Sequence, residues 1–141
     1  MNLNYFIERL ATNRAVFEAL IKAVSPEQGK WKPAPDKWSI LEVVNHLYDE
    51  EREDFRQRLQ LVLADPTQPW PKIDPRNWVT ERAYLERELN SSLTNFLEER
   101  EKSLGWLRQL TNPNWENSKE GPNGVLSAGD LLASWLAHDF L

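Results

Sequence analysis

The sequence of 141 residues contains no cysteine. This absence excludes disulfide bonds, thiolate nucleophiles and sulfur ligands for metals within the sequence. Glycine is also scarce, with five scattered residues, and they form no glycine-rich loop of the kind that cradles phosphate. A metal site in this sequence would therefore have to use nitrogen and oxygen ligands.

Long apolar runs and an excess of basic residues are missing as well. No run of eighteen apolar residues occurs, so no membrane-spanning helix is predicted. The first residues lack the basic region and apolar core of a secretion signal. A net charge of −5 and a pI near 5.1 argue against a nucleic-acid groove, which needs a basic face. We therefore expect a cytoplasmic protein that binds neither nucleic acid nor membrane.

Apolar residues repeat at helical spacing in four segments, and no strand pattern is visible. The first helix is predicted over residues 4–24, and Asn13 interrupts its apolar seam, where a buried amide would need a partner. The linker over residues 25–35 is predicted to be extended by its prolines. The second helix begins at Ser39, with Glu42 completing a capping box, and continues to residue 65.

The third helix is predicted to run without a break over residues 78–110, with Glu and Arg on a solvated outer face. The third connection, residues 111–126, contains Pro122. The fourth helix begins at Ser127, with Asp130 completing a second capping box. Because such helices must hide their apolar seams, residues 1–141 are predicted to form one all-α domain, a four-helix bundle whose long connections can cross its end.

The sequence contains two histidines, His46 in the second helix and His138 in the fourth. Side chains from different helices can meet at one point, which is how helical bundles build metal sites. The periodicity of the second helix places His46 away from its apolar centre, which predicts an exposed or edge position. Glu42 and Glu50 flank it four residues before and after, and their charges would raise its pKa.

Two acidic residues fall on apolar faces. Glu51 lies on the apolar stripe of the second helix and must be paired there, either with Arg52 or with an arginine of the third helix. Asp139 points inward beside His138. This arrangement indicates either a polar site at the edge of the core or a hydrogen-bonded pair without a catalytic role, and the spacing leaves both open.

Two motifs carry a resemblance to a known family. The segments KWS at positions 37–39 and HLYDEE at positions 46–51 resemble the first motif of the DinB-like superfamily, and AHD at positions 137–139 resembles the motif of its last helix. The segments WV at positions 78–79 and ER at positions 81–82 resemble one subgroup. The likeness covers essentially the whole chain in the right order.

The resemblance implies a four-helix bundle that holds a divalent metal ion (Zn, Ni, Mn or Fe) through three histidines. His46 and His138 would be two of the ligands, and the third would fall at position 142, beyond this sequence. We therefore expect a last helix that is shortened here and a site that is incomplete unless Glu50, Asp139 or a partner chain completes it. Asp49 and Glu51 are the candidate catalytic residues, which would orient a ligand ring or receive a proton.

The resemblance also implies a metal-dependent enzyme, either a thiol-dependent S-transferase with a low-molecular-weight thiol as partner or a metal-assisted hydrolase. The alternative is a non-catalytic bundle that acts in interactions or stress responses without a bound metal. A homodimer is expected for such a bundle, although no surface patch in the sequence identifies its interface.

Overall fold

The computed structural model describes residues 1–121 and 124–140, so Pro122 and Leu141, to which the expectations above refer, lie outside it. The elements follow the chain in this order: α1 (Leu3–Lys22), α2 (Pro26–Lys30), α3 (Ile40–Glu50), a π-helical segment (Glu51–Phe55), α4 (Arg56–Ala64), α5 (Pro75–Glu81), a 3₁₀ turn (Tyr84–Glu86), α6 (Leu89–Gln109), β1 (Ser118–Gly121), β2 (Gly124–Ser127) and α7 (Ala128–His138).

The predicted four-helix bundle is confirmed. Its helices are α1, the continuous run from α3 through the π-helical segment to α4, then α6 and α7. Helix α6 packs against α1 and α3, whereas α7 packs against α1 and α4. Both predicted capping boxes are present: the side chain of Ser39 accepts from the Glu42 N–H, and that of Ser127 from the Asp130 N–H. Within the ranges that the structure describes, every helix is too short or too polar to cross a membrane.

Two predictions about the first half of the chain need correction. The linker over residues 25–35 is not extended throughout, because Ser25 caps the short helix α2 and forms a capping box with Gln28. The second predicted helix is continuous but changes to π geometry directly after Glu50. A π turn keeps the chain helical, so the apolar periodicity on either side gives no sign of it.

The predicted unbroken third helix is also wrong. The chain leaves α5 at Ala83, which adopts a left-handed conformation with φ 48°. Tyr84 then turns into the core and is fully buried. Helix α6 starts afresh after Glu88, whose carboxylate accepts from the N–H groups of Asn90 and Ser91.

A two-stranded antiparallel hairpin overturns the expectation that the chain has no strands. Strand β1 pairs with β2 in a register that sets Ser118 opposite Ser127 and Gly121 opposite Gly124. The sequence of β1, SKEG, has no apolar residue, so no period-two pattern could reveal it. The hairpin leads into α7 and packs Leu126 against the core.

The core consists of two main apolar clusters along the bundle, separated by polar residues. Helix α7 covers one of them. On α1, Asn13 lies between residues of the two clusters, and Arg100 holds the equivalent position on α6. The first cluster contains Ile7, Leu10, Leu59, Val62, Leu104, Leu107, Ala128, Leu131, Leu132 and Trp135. The second contains Ile21, Leu41, Val44, Leu47, Leu89, Leu93, Phe96 and Leu97.

Candidate metal centre

Three side chains from α3 and α7 converge where the polar residues interrupt the core. His46, Glu50 and His138 each offer one ligand atom, and these atoms lie within 4.8 Å of one another. The Nε2 atom of His138 is 2.9 Å from Oε2 of Glu50, and Nε2 of His46 is 3.5 Å from Oε1 of the same carboxylate. The two imidazole centroids are 5.3 Å apart. The two histidines singled out by the sequence thus lie on either side of one carboxylate.

Helix geometry explains this convergence. His46 and Glu50 are four residues apart on α3, so their side chains lie on the same face one turn apart. His138 is the last residue of α7, whose start is fixed by the Ser127 cap. Because α7 packs against α1 and α4, its C-terminal end brings His138 to the point where α3 passes into the π-helical segment.

Aromatic rings wall the centre. The indole of Trp38 lies 4.7 Å from the His46 ring, and the Phe55 ring lies 5.1 Å from that of His138, centroid to centroid. The side chains of His46, Glu50 and His138 are 12 %, 10 % and 24 % exposed. His46 is therefore an edge residue, as its helical position predicts, and water reaches the centre mainly from the His138 side.

The two imidazoles differ in their affinity for a proton. Burial lowers the pKa of His46, while the charge of Glu50 acts in the opposite direction. The hydrogen bond with Glu50 raises the pKa of His138 above 6.5, against the effect of burial. The charge of Glu50 thus acts in the predicted direction, but burial outweighs it, so the pKa of His46 is lowered and not raised. Glu42 is instead occupied by the Ser39 N–H and by Lys32 Nζ.

The residues present fit a divalent ion. Two imidazoles and one carboxylate form a ligand set found in catalytic zinc sites and in Fe(II) sites. In addition, Nδ1 of His46 is buried and has no hydrogen-bond partner among residues 1–121 and 124–140. Buried polar atoms are rarely left unpaired, so this ring has bonding capacity that the described protein groups do not use.

Asp49, one of the two predicted catalytic carboxylates, points away from the centre. Its Oδ2 accepts from the Tyr84 hydroxyl at 2.5 Å and lies 2.7 Å from Nη1 of Arg82. Its Oδ1 accepts from Nη2 of Arg52 at 3.1 Å. In the part of the chain that the structure describes, Asp49 makes no hydrogen bond to either histidine, and only its charge acts on His46.

Glu51, the other predicted catalytic carboxylate, is also bonded to groups other than the histidines. Nε of Arg100 lies 2.8 Å from its Oε1, and Nε1 of Trp135 donates to its Oε2 at 2.8 Å. An arginine of the third predicted helix is thus its partner, one of the two expected. The roles of Asp49 and Glu51 in catalysis stay a prediction.

Glu50 is the site residue that sequence reasoning left as an option only. The other option, Asp139, is bonded to Arg100 and to the amide of Asn13. The spacing of Glu50 to His46 was a visible signal, but nothing in the sequence shows that His138 reaches the same carboxylate. A further acid, Asp54, is buried near the centre, and burial raises its pKa to about 6.

Comparisons with known proteins extend these observations. YfiT from Bacillus subtilis, described as "a probable metal-dependent hydrolase with an unusual four-helix bundle topology", matches the structure with a TM-score of 0.84. The match covers 98 % of this chain and 79 % of that one at 18 % sequence identity, so the likeness concerns the fold. No curated protein matches the sequence. The family model of the DinB superfamily matches residues 9–141, and the chain therefore belongs to the DinB superfamily.

Proposed function

We propose that this protein is a divalent-metal-dependent enzyme of the hydrolase class, with His46, Glu50 and His138 as the metal ligands. The observation that carries the proposal is the convergence of three donor atoms within 4.8 Å from two helices. The description of YfiT as a probable metal-dependent hydrolase supports the same class of reaction.

Among the residues that the structure describes, the three converging ligands match a catalytic ion better than a structural one. Structural zinc sites are closed by four protein ligands, whereas catalytic sites have three and keep a position for water or substrate. A bound divalent ion supplies Lewis acidity and lowers the pKa of a coordinated water toward neutrality. His138 is the most exposed of the three ligands, so we expect substrate to approach from its side.

The protein's own groups have separate tasks in this proposal. Glu50 orients both imidazoles, because one of its oxygens faces each ring. Trp38 and Phe55 exclude water from the ring faces. Asp54 is the nearby buried carboxyl suited to hold a proton near neutral pH, since its pKa is raised to about 6. Asp49 and Glu51 support the centre through the arginines that they bind.

Thiol-dependent transfer is tested alongside hydrolysis. The metal-loaded protein is incubated with a panel of esters and amides, with and without a low-molecular-weight thiol. Product formed by water alone supports the hydrolase proposal. If product forms only when the thiol is present, and the thiol is attached to it, the reaction is a transfer and the hydrolase proposal is wrong. The expected homodimer is measured in the same preparation by light scattering.

The metal itself is tested by substitution. We expect the wild-type protein to bind one equivalent of Zn²⁺, Ni²⁺ or Mn²⁺ per chain in calorimetry, and Glu50→Gln and His46→Ala to weaken that binding. Glu53→Gln is the matched control, because Glu53 lies three residues from Glu50 and pairs with Arg82 instead. If the wild type binds none of these ions, the non-catalytic bundle is the better description.

A further inference from the structure

A buried ion network lies beside the proposed centre. Nε of Arg100 is 2.8 Å from Oε1 of Glu51, and its Nη2 is 2.7 Å from Oδ1 of Asp139. Nη1 of Arg100 donates to Oδ2 of Asp139 at 2.9 Å. These side chains are 1 % to 2 % exposed. The guanidinium thus connects the long second helix of the bundle to the end of α7.

The network holds α7 at two points on either side of His138. Trp135, three residues before it, donates its indole N–H to Glu51 at 2.8 Å. Asp139, directly after it, binds Arg100 and also accepts from the amide of Asn13 at 2.8 Å. Residues 135 and 139 lie one turn apart on the same side of α7. Fixing both prevents the end of the helix from rotating.

The adjacent glutamates of the second helix divide two tasks. Glu50 faces the imidazoles, whereas Glu51 faces Arg100 and Trp135. One turn of the second helix therefore both supplies Glu50, the carboxylate partner of His138, and holds α7, which carries the His138 ring. We propose that Glu51, Arg100 and Asp139 are positioning residues that set the rotation of α7, so that His138 points at Glu50 and His46.

The effect of these residues on metal binding rests on the proposed function, but the bonds that hold α7 do not depend on any ion. Buried ion pairs often stabilise a protein no more than apolar residues of the same size would. Stability alone therefore gives a weak reason for placing an arginine and two carboxylates here. Control of the orientation of α7 is a specific reason, because a guanidinium with two bonds to one carboxylate fixes both the distance and the angle between the two groups.

The test uses Arg100→Lys, which keeps the buried positive charge but loses the planar fork. The matched control is Arg56→Lys, because Arg56 joins α4 to Glu99 of α6 in an ion pair that is less buried than that of Arg100, and its described bonds involve no residue of α7. Two readouts are taken. One is the Zn²⁺ affinity by calorimetry, and the other is the nuclear Overhauser cross-peak between the two imidazoles in metal-free protein.

The cross-peak is unambiguous because the chain has two histidines, whose rings lie 5.3 Å apart. We expect Arg100→Lys to weaken the cross-peak and to lower Zn²⁺ affinity by about 10- to 100-fold, while Arg56→Lys changes neither. A folded Arg100→Lys protein with the wild-type cross-peak and affinity overturns the inference.

Two further outcomes are separable. If Arg100→Lys does not fold, Asp139→Asn is used instead, because it keeps the shape of the side chain. We expect this variant to weaken the cross-peak and the Zn²⁺ affinity, and a folded variant with wild-type values of both overturns the inference. If the wild type binds no ion, the proposed function fails. The cross-peak then still decides the inference, because a peak that disappears in the variant and not in the control supports positioning without metal.

Discussion

At His138, a proton and the proposed metal ion compete for the same nitrogen. The hydrogen bond to Glu50 raises the pKa of this imidazole above its usual value, so the ring keeps its second proton to a higher pH than an ordinary histidine does. An ion can bind only after that proton leaves. Glu50 therefore both attracts the ion and strengthens its competitor.

Zinc affinity is predicted to fall as the pH falls through the His138 pKa. Below that pKa one proton must be displaced for each ion, so the dissociation constant rises by about tenfold per pH unit. Calorimetry between pH 6 and 8, in buffers of different ionisation enthalpy, measures both the affinity and the proton released. An affinity that stays constant over this range would contradict the assignment of His138 as a ligand.

Burial affects the stability of the protein through Asp54. Its pKa rises from 3.8 to about 6, first because it is buried and then because Glu50 lies nearby, against the charge of Arg58. The folded state binds this proton more tightly than the unfolded state. Its contribution to stability is therefore complete below pH 3.8 and is lost as the pH rises through about 6.

Asp54→Asn is predicted to remove this loss. In metal-free protein, the difference in free energy of unfolding between variant and wild type should grow by up to about 3 kcal/mol from pH 4 to pH 8. Chemical denaturation at both pH values measures it. Asp36→Asn, at an exposed position, is the control. An equal difference at both pH values for Asp54→Asn would rule out the raised pKa.

Helix α7 is short and begins at a capped N-terminus. It has eleven residues, and its N-terminus is closed by the reciprocal bonds of Ser127 and Asp130. An isolated helix of this length is marginal in water. Its stability therefore comes from the cap, from packing against α1 and α4, and from the bonds around Trp135 and Asp139.

Ser127→Ala is predicted to lower the free energy of unfolding by about 1 kcal/mol, because the Asp130 N–H loses its acceptor. Urea denaturation followed by tryptophan fluorescence measures the change. Ser118→Ala, on strand β1, is a control for the loss of a serine hydroxyl. A Ser127 variant as stable as wild type would show that the cap contributes little to holding α7.

The sequence was sufficient for elements whose signals are local. The capping boxes at Ser39 and Ser127 marked true helix starts, because each needs only residues within one turn. The break at Ala83 leaves no sign in the sequence because alanine favours helix, and the turn is stabilised by the burial of Tyr84 and its bond to Asp49. Hairpin β1–β2 was missed because its pairing depends on backbone bonds rather than on an apolar pattern.

The sequence shows which residue types form the candidate centre, but it does not show which side chains bond to one another. His46 and Glu50 share a helix face by spacing alone. Arg100 lies seven residues after Leu93 and seven before Leu107, on the apolar face of α6, and it is buried. The expectation of a fully solvated Glu and Arg face is wrong for Glu99 and Arg100. The spacing of Arg100 is that of the apolar seam, but its partners Glu51 and Asp139 come from other helices, and a pattern within one helix cannot identify them.

In the whole molecule, the proposed ion would link two distant parts of the chain. His46 and Glu50 belong to α3, and His138 belongs to α7, which covers the first apolar cluster. An ion bound to both helices stabilises only the state in which α7 is docked. A ligand that binds only the folded state raises the free energy of unfolding with the logarithm of its concentration once that concentration exceeds the dissociation constant.

Zinc at a hundred times its dissociation constant is therefore predicted to raise the free energy of unfolding by about 2.7 kcal/mol. Thermal denaturation with and without EDTA measures the increase. His138→Gln should lose most of it, whereas Glu53→Gln should keep it. An equal increase in His138→Gln would show that zinc stabilises the protein at another place.

The position of His138 at the end of α7 has a consequence for biosynthesis. On the ribosome, α1, the long second helix and α6 all emerge before α7. Until α7 follows, the side of the first apolar cluster that α7 covers is exposed. The ligand set of the proposed centre is incomplete until His138 has left the exit tunnel. Metal capture at this centre would therefore follow the translation of α7, and it would mark chains in which α7 has docked on the bundle.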